Sequence, residues 1–308
     1  MSGAPRPTLA HRAEYLLLRA VIGLSGLLGE RGAERLGSAL GRLAYRPLGI
    51  RRELVESQLR ASFPERGEDW IRRTAAASYA HLGREGLAML RLAAASPEEV
   101  RARTQIEGLE RLLEAVAAGK GVVLVTGHLG NWEIGGAALA VRGVPIDVVA
   151  QRQSNPLFDR LVVETRERLG MRVIPRGRAT RDGVRSLRAG RVVAFVADQD
   201  AKRAGAFVPF FGRLASTHRG PALLALRTGA PLFVALGMVR TPEGGYRARV
   251  EEVVVDREGE VDDVVYRMTA AFTARLEEGV RAAPDQYFWH HRRWKSRPPE
   301  ERVSGSPV

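Results

Sequence analysis

Cysteine is absent from the 308-residue chain. That excludes disulfides, Cys-ligated zinc and thiol nucleophiles. Lysine is almost absent too: Lys120, Lys202 and Lys295 are the only ones, and the rest of the positive charge is arginine. No apolar run is long enough for a membrane span. The longest, Tyr15 to Leu28, is interrupted by Arg19 and falls short of the roughly 20 residues a spanning helix needs. Arg6 and Arg12 precede it as they would in a signal peptide, but Gly29-Glu30-Arg31-Gly32 is a poor cleavage region. The run reads as an interfacial helix or an ordinary buried one. No Walker loop and no Gly-x-Gly-x-x-Gly after a strand is present, which removes the usual nucleotide-binding classes. Without a Gly-x-Ser-x-Gly elbow, a serine hydrolase is disfavoured.

What is there is a globular composition, 45% hydrophobic and 27% charged, with a strong positive excess. Lys plus Arg total 48 against 35 acidic residues, a formal charge of +13, with a sequence pI near 11.0. Nucleic acid, anionic lipid and acidic carrier proteins all suit such a balance; a GC-rich genome would also enrich arginine.

Residues 1–105 read as almost wholly helical, with apolar residues at helical spacing through Leu16, Leu17, Ala20, Val21 and Leu24. Breaks fall at Pro47/Gly49 and at Phe63-Pro64-Glu65, and Ser96-Pro97-Glu98-Glu99 has the form of a capping box with proline at the first helical position. From residue 106 the pattern changes. Short apolar runs at 121–126, 146–150, 172–175, 191–197 and 231–239 alternate with helices at 131–141, 156–169, 182–188 and 221–228. That alternation predicts a mostly parallel central sheet flanked by helices. A longer strand over 246–255 is expected at the sheet edge, followed by a helix over 261–280 and an aromatic, basic tail from Pro284. The expected organisation is a helical, membrane-associating section over 1–105 joined to an α/β region over 106–308 in one integrated unit.

The sharpest feature is Thr126-Gly127-His128-Leu129-Gly130-Asn131-Trp132-Glu133, which follows one buried strand and opens a helix. Ligands of open parallel sheets bind beyond the carboxyl ends of the strands, so His128 is placed in a crevice by topology. Glu133 could fold back to orient the ring and raise its basicity; alternatively, the pair could be a capping histidine and a first-turn acid suited to the helix dipole. Asp198 ends another strand and could pair with the imidazole in place of Glu133 or beside it, or else form a cap or a salt bridge with Lys202 or Arg203. Metal binding by Asp198 and Asp200 is not expected. Arg152, just past a strand end, suits a phosphate or is a solvated surface arginine. Arg166 could bind an acceptor or a surface partner, while Asn155 and Asp159 could bind substrate or organise the local helix cap.

The context His-Leu-Gly-Asn-Trp-Glu resembles the bacterial lipid A biosynthesis acyltransferases, a family that includes phosphatidylinositol mannoside acyltransferases. Phe63-Pro64-Glu65, the set Arg152, Asn155, Asp159 and Arg166, Asp198-Gln199-Asp200, Phe207-Val208-Pro209-Phe210-Phe211-Gly212 and Trp289 to Pro298 resemble its other blocks in order. The more distant glycerol-phosphate acyltransferases carry His followed by Asp at this spacing and a Phe-Pro-Glu-Gly block. Neither is matched here, which favours glycolipid acceptors.

The resemblance implies transfer of an acyl chain from a thioester, on acyl carrier protein or coenzyme A, to a glycolipid hydroxyl such as that of a lipid A precursor. His128 would be the general base, with Glu133 and Asp198 as partners. Arg152, Asn155, Asp159, Arg166 and Asn131 would contact substrate, Phe207, Phe210 and Phe211 would line an acyl channel or simply pack in the core, and neither cofactor nor metal would be needed. The location implied is the cytoplasmic face of the inner membrane, on anionic lipid, and the resemblance turns the aromatic tail towards a membrane interface rather than nucleic acid. A phosphatidylinositol mannoside or lysophospholipid acceptor, and a non-catalytic basic protein bound to membrane or nucleic acid, are the alternatives.

Overall fold

The computed structural model describes residues 6–298. Five helices come first: α1 (Leu9–Leu27), α2 (Gly29–Tyr45), α3 (Arg52–Ser62), α4 (Glu68–Arg91) and α5 (Pro97–Ala102). The helical stretch before the Pro47/Gly49 break is two helices and not one, the apolar periodicity from Leu16 to Leu24 lying in α1. Gly29 adopts φ +65°, a conformation open to glycine, and turns the chain between them. α2 and α4 then pack backbone to backbone: a methyl group at Gly41 would lie 1.9 Å from the Tyr79 carbonyl oxygen, so only glycine permits this crossing. The capping box at Ser96/Glu99 is formed.

The α/β part comprises β1 (Thr104–Glu107), α6 (Leu109–Ala117), β2 (Val122–Thr126), α7 (Trp132–Ala140), β3 (Ile146–Ala150), α8 (Pro156–Arg168), β4 (Arg172–Pro175), α9 (Ala179–Arg188) and β5 (Val192–Val196). These are followed by β6 (Ala206–Phe210), β7 (Arg213–Thr217), α10 (Gly220–Thr228), β8 (Leu232–Arg240), β9 (Tyr246–Glu252) and α11 (Val261–Ala282). Seven strands form one sheet in the order β1-β9-β8-β2-β5-β3-β4, with β6 and β7 as a separate hairpin. The run from β8 to β4 is parallel; β9 is antiparallel to β8, and β1 pairs parallel to β9. Contrary to expectation, β9 is not the edge strand, because β1 covers it.

One face of the sheet packs under α5, α6 and α7 around Leu112, Leu124, Leu139 and Ile146. The other packs under α9, α10 and α11 around Val123, Leu187, Leu232 and Phe272. A third core joins α3 and α4 to the hairpin and the C-terminal tail through Leu59, Phe63, Tyr79, Phe210, Phe211, Trp289 and Trp294.

The tail therefore differs from the membrane-facing segment expected. Trp289 is 1% exposed and Trp294 7%. Gln58 donates to the carbonyls of Trp289 and His291, and the buried Arg293 guanidinium donates to the Ser216 carbonyl. The tail's tryptophan rings fill a core, and Arg293 between them satisfies a buried carbonyl.

Among the described residues no helix is long and apolar enough to cross a membrane. α1 nevertheless leaves large apolar side chains in the open, with Leu16 and Leu17 each 68% exposed and Leu27 88%.

Candidate active site

The register Thr126↔Val196 sets β2 beside β5. Two residues further on, His128 and Asp198 leave the carboxyl edge of the sheet together. The His128 Nδ1 lies 2.6 Å from Asp198 Oδ1, and the His128 backbone N–H donates to Asp198 Oδ2 at 2.8 Å. Gly127 makes this approach possible, since a methyl group there would sit 3.1 Å from the Asp198 carboxylate. Gly130, at φ +65°, lets the chain turn against β8, where its amide neighbour Asn131 donates to the Met238 carbonyl at 2.9 Å. The Asn131 side chain then caps α7 by accepting from the Ile134 N–H. The tail pins the loop from the other side: Phe288 N–H donates to the His128 carbonyl, and Gly130 N–H to that of Gln286.

Burial by itself would lower the His128 pKa, but the charge and hydrogen bond of Asp198, helped by Glu133, carry it above the ordinary imidazole value. Burial would raise Asp198; the imidazole and the backbone N–H instead hold it down to about 2. The pair is thus a carboxylate fixing an imidazole through Nδ1, leaving Nε2 as the nitrogen able to accept a proton.

Glu133, expected to orient the ring, is engaged elsewhere. Arg166 on α8 clamps it bidentately, Nε to Oε2 at 2.9 Å and Nη2 to Oε1 at 2.5 Å. The cap at Asn131 turns α7 so that its second residue faces α8, while sheet register delivers Asp198 to the ring. Glu133 acts on His128 only through its charge.

A cavity of about 780 Å³ opens beside the ring and runs between α7 and the sheet. Its walls are apolar and carry small side chains where helix meets sheet. Gly135 and Gly136 lie on α7, and Ala194, Ala235 and Ala248 lie on β5, β8 and β9, with Leu124, Ile146 and Met171 among the larger lining residues. Its polar groups sit at the His128 end: Glu133, Gln151, Gln153, Arg166, Arg176, Gln199 and His218.

Several expected site residues lie elsewhere. Phe210 and Phe211 are buried in the third core against Trp294, Phe63 and Trp289, and Phe207 sits on the hairpin strand opposite Ser216. None of the three lines the cavity. Asn155 caps α8 and donates to the His11 carbonyl and Glu14, which ties α8 to α1. Asp159 accepts from the Gln153 N–H. Asn131 donates to the buried Glu85 carboxylate at 2.9 Å. Arg152 is exposed outside the cavity lining.

Sequence reasoning also passed over Gln199, Arg176 and the small residues of the cavity. A Gly-Gly pair in an otherwise apolar helix is the one local signal that a helix–sheet interface holds a void. Among the described residues no group of His, Asp and Glu is arranged to hold a metal.

The profile of the bacterial lipid A biosynthesis acyltransferases matches residues 6–296. The chain belongs to that family. A lipid A biosynthesis lauroyltransferase of Escherichia coli K12 is 32% identical over 269 residues, covering 86% of this chain and 85% of that protein. A phosphatidylinositol mannoside acyltransferase of Mycolicibacterium smegmatis is 32% identical over 232 residues, 73% of this chain and 72% of that one. A lipid A biosynthesis palmitoleoyltransferase of E. coli K12 is 30% identical over 270 residues, 85% of each. The protein is an acyltransferase.

Proposed function

We propose that this acyltransferase moves a fatty acyl chain from a thioester, carried by acyl carrier protein or coenzyme A, to a hydroxyl of a glycolipid such as a lipid A precursor, with His128 as general base. The observation carrying the reading is an Asp-oriented imidazole set at the polar end of a deep apolar cavity. A hydroxyl is a poor nucleophile at neutral pH, and a base placed at Nε2 contributes about 10²–10⁴-fold. The cavity volume lies in the range typical of small-ligand sites, and its apolar walls suit an alkyl chain, with the thioester left at the His128 end.

The Glu133–Arg166 pair fixes α8 against α7 beside the cavity and offers polar contacts to the acceptor. Around the mouth, Arg152 follows β3, Arg178 follows β4, and Lys202 and Arg203 follow β5; all four are exposed and none pairs with a carboxylate among the described residues. Such a rim suits the phosphate of a pantetheine arm and an acidic carrier. A phosphatidylinositol mannoside is the second acceptor reading, supported by the mycobacterial relative at the same identity.

The test is transfer of labelled acyl chains from acyl carrier protein and from coenzyme A to a lipid A precursor, a phosphatidylinositol mannoside and lysophosphatidic acid. Transfer to a glycolipid supports the reading; transfer to lysophosphatidic acid alone replaces the acceptor class.

The small cavity residues lead to a specific expectation. Ala194→Leu fills the space under α7, so the preferred acyl chain should shorten, with turnover of long chains falling at least tenfold. Each methylene denied burial costs about 0.8 kcal/mol. An unchanged chain-length profile from competition between C10 and C16 thioesters would place the alkyl chain elsewhere.

We also propose that the exposed leucines of α1 dock the enzyme on the cytoplasmic face of an anionic inner membrane, with Arg12 and Arg19 at headgroup level. A fully buried leucine is worth about 1.5–3 kcal/mol, so Leu16, Leu17 and Leu27 changed together to Asp should reduce flotation with phosphatidylglycerol liposomes by at least tenfold. Flotation equal to that of the native chain would exclude α1 as the docking element.

A further inference from the structure

We propose that Gln199 is a catalytic residue: its carboxamide holds the place of the acceptor hydroxyl at His128 Nε2 in the resting enzyme and, once displaced, donates to the oxyanion formed on the thioester carbonyl. This rests on the reading of His128 as the base.

The Gln199 amide nitrogen lies 3.3 Å from His128 Nε2. Asp198 holds Nδ1, so Nε2 is the nitrogen a hydroxyl must reach. A hydroxyl proton is transferred from within hydrogen-bonding distance, and the carboxamide occupies that position. The two cannot share it, so acceptor binding moves the glutamine. A carboxamide both donates and accepts. It can donate to Nε2 of the neutral ring, or turn and accept from the protonated one, which satisfies a largely buried ring in either state.

The residues flanking Gln199 are fixed. Asp198 is bonded to His128. Asp200 N–H donates to His291 Nε2 at 2.9 Å, and the Asp200 carboxylate accepts from Ser296 N–H and Oγ–H. Between these anchors, the Gln199 side chain faces the cavity, so moving off Nε2 leaves it beside the reacting carbonyl.

Four of the backbone donors near the ring are committed. His128 N–H goes to Asp198, Gly130 N–H to Gln286, Asn131 N–H to Met238 and Ile134 N–H to the Asn131 side chain. A developing oxyanion is stabilised by hydrogen-bond donors aimed at it, and the carboxamide, once off Nε2, supplies two N–H groups.

The step balances. The acceptor oxygen bonds to the thioester carbon, its proton passes to Nε2, and the carbonyl π electrons move onto oxygen, which the Gln199 N–H stabilises. Collapse re-forms the carbonyl and breaks the C–S bond, and the thiolate leaves with the proton from Nε2. The products are an ester and a thiol.

The experiment uses the full chain with Gln199→Ala and Gln199→Glu. It records kcat, KM and the pH profile of acyl transfer, together with the His128 imidazole titration by NMR, assigned by the signal missing in His128→Ala. The charged groups facing the ring are Asp198, Glu133 with Arg166, and His291 of the tail; all are unchanged in both variants.

Gln199→Ala should lower kcat about 10²–10³-fold, the usual cost of one lost oxyanion donor, with donor KM within a few-fold of native. Gln199→Glu should lose a similar factor and move the His128 titration and the acid limb of kcat/KM upward by about one pH unit, since a carboxylate at this distance favours imidazolium. A Gln199→Ala kcat within threefold of native overturns the oxyanion role. An unmoved His128 titration in Gln199→Glu overturns the placement at Nε2. A native enzyme that transfers nothing defeats the proposed reaction and the oxyanion role with it, and the titration still decides the contact.

Discussion

Acyl transfer by the His128→Ala variant is expected to fall by about 10²–10⁴-fold at saturating donor, the contribution of a positioned base. The loss should appear in kcat, because the ring acts on the hydroxyl as it attacks and contributes little to holding the alkyl chain. Removing the ring has a second consequence. Asp198 is 4% exposed and is held ionised at about 2 largely by the imidazole, so alanine strands a buried carboxylate and should lower the melting temperature. His128→Asn separates the two effects. Its amide can donate to Asp198 but cannot accept a proton at the Nε2 position. Both variants should be inactive, with the asparagine variant melting higher. Initial rates of labelled-acyl transfer beside thermal melts measure this, and a folded His128→Asn enzyme with native turnover would remove the base from the mechanism.

Asp198→Asn should cost about as much. With a carboxylate at Nδ1 the ring keeps its proton there and offers Nε2 as acceptor. An amide can present its NH2 group to Nδ1 and select the opposite tautomer, and an equivalent change in a serine protease costs about 10⁴-fold; a fall of about 10³–10⁴-fold in kcat is expected here.

The pH dependence follows from the same pair. The base must be neutral, and Asp198 and Glu133 hold the His128 pKa above the ordinary imidazole value. Native kcat/KM should therefore rise with pH through a midpoint above that value, and in Asp198→Asn the midpoint should move to lower pH as the charge is lost. The Asp198 contribution to stability runs in the same direction with pH. The depressed Asp198 pKa contributes stability that is present above the unfolded carboxylate value and is lost as pH falls towards about 2; the asparagine variant should lack that component. An Asp198→Asn enzyme within tenfold of native would show that Glu133, acting through space, suffices to orient the ring. Glu133→Gln should be the milder change, because it breaks the Arg166 clamp and leaves the His128–Asp198 contact in place.

The α/β alternation was legible because the central parallel strands read as continuous apolar runs, as in Val122–Thr126 and Val192–Val196. β1 was not legible: its four residues, Thr-Gln-Ile-Glu, carry no such run and are strand only because β9 offers an edge. The hairpin of β6 and β7 was hidden because Phe207, Phe210 and Phe211 suggested a ligand wall. Paired strands bury two of those rings under the tail, and the tail's tryptophans, read as interfacial, are the other half of that core.

For the site, the chain by itself determined that His128 and Asp198 each end a buried strand, since a loop after such a strand opens at the carboxyl edge of the sheet whatever its neighbours are. Which strands are neighbours was decided only by tertiary structure. β5 inserts between β2 and β3, and that pairing, with its register, gives the imidazole to Asp198 and leaves Glu133 to Arg166. The cavity was decided in the same way. Gly135, Gly136 and the alanines of β5, β8 and β9 are far apart in the chain, and the space they leave exists only once α7 lies across those strands. Local periodicity is a property of consecutive residues, whereas strand order and enclosed volume are properties of packing between segments.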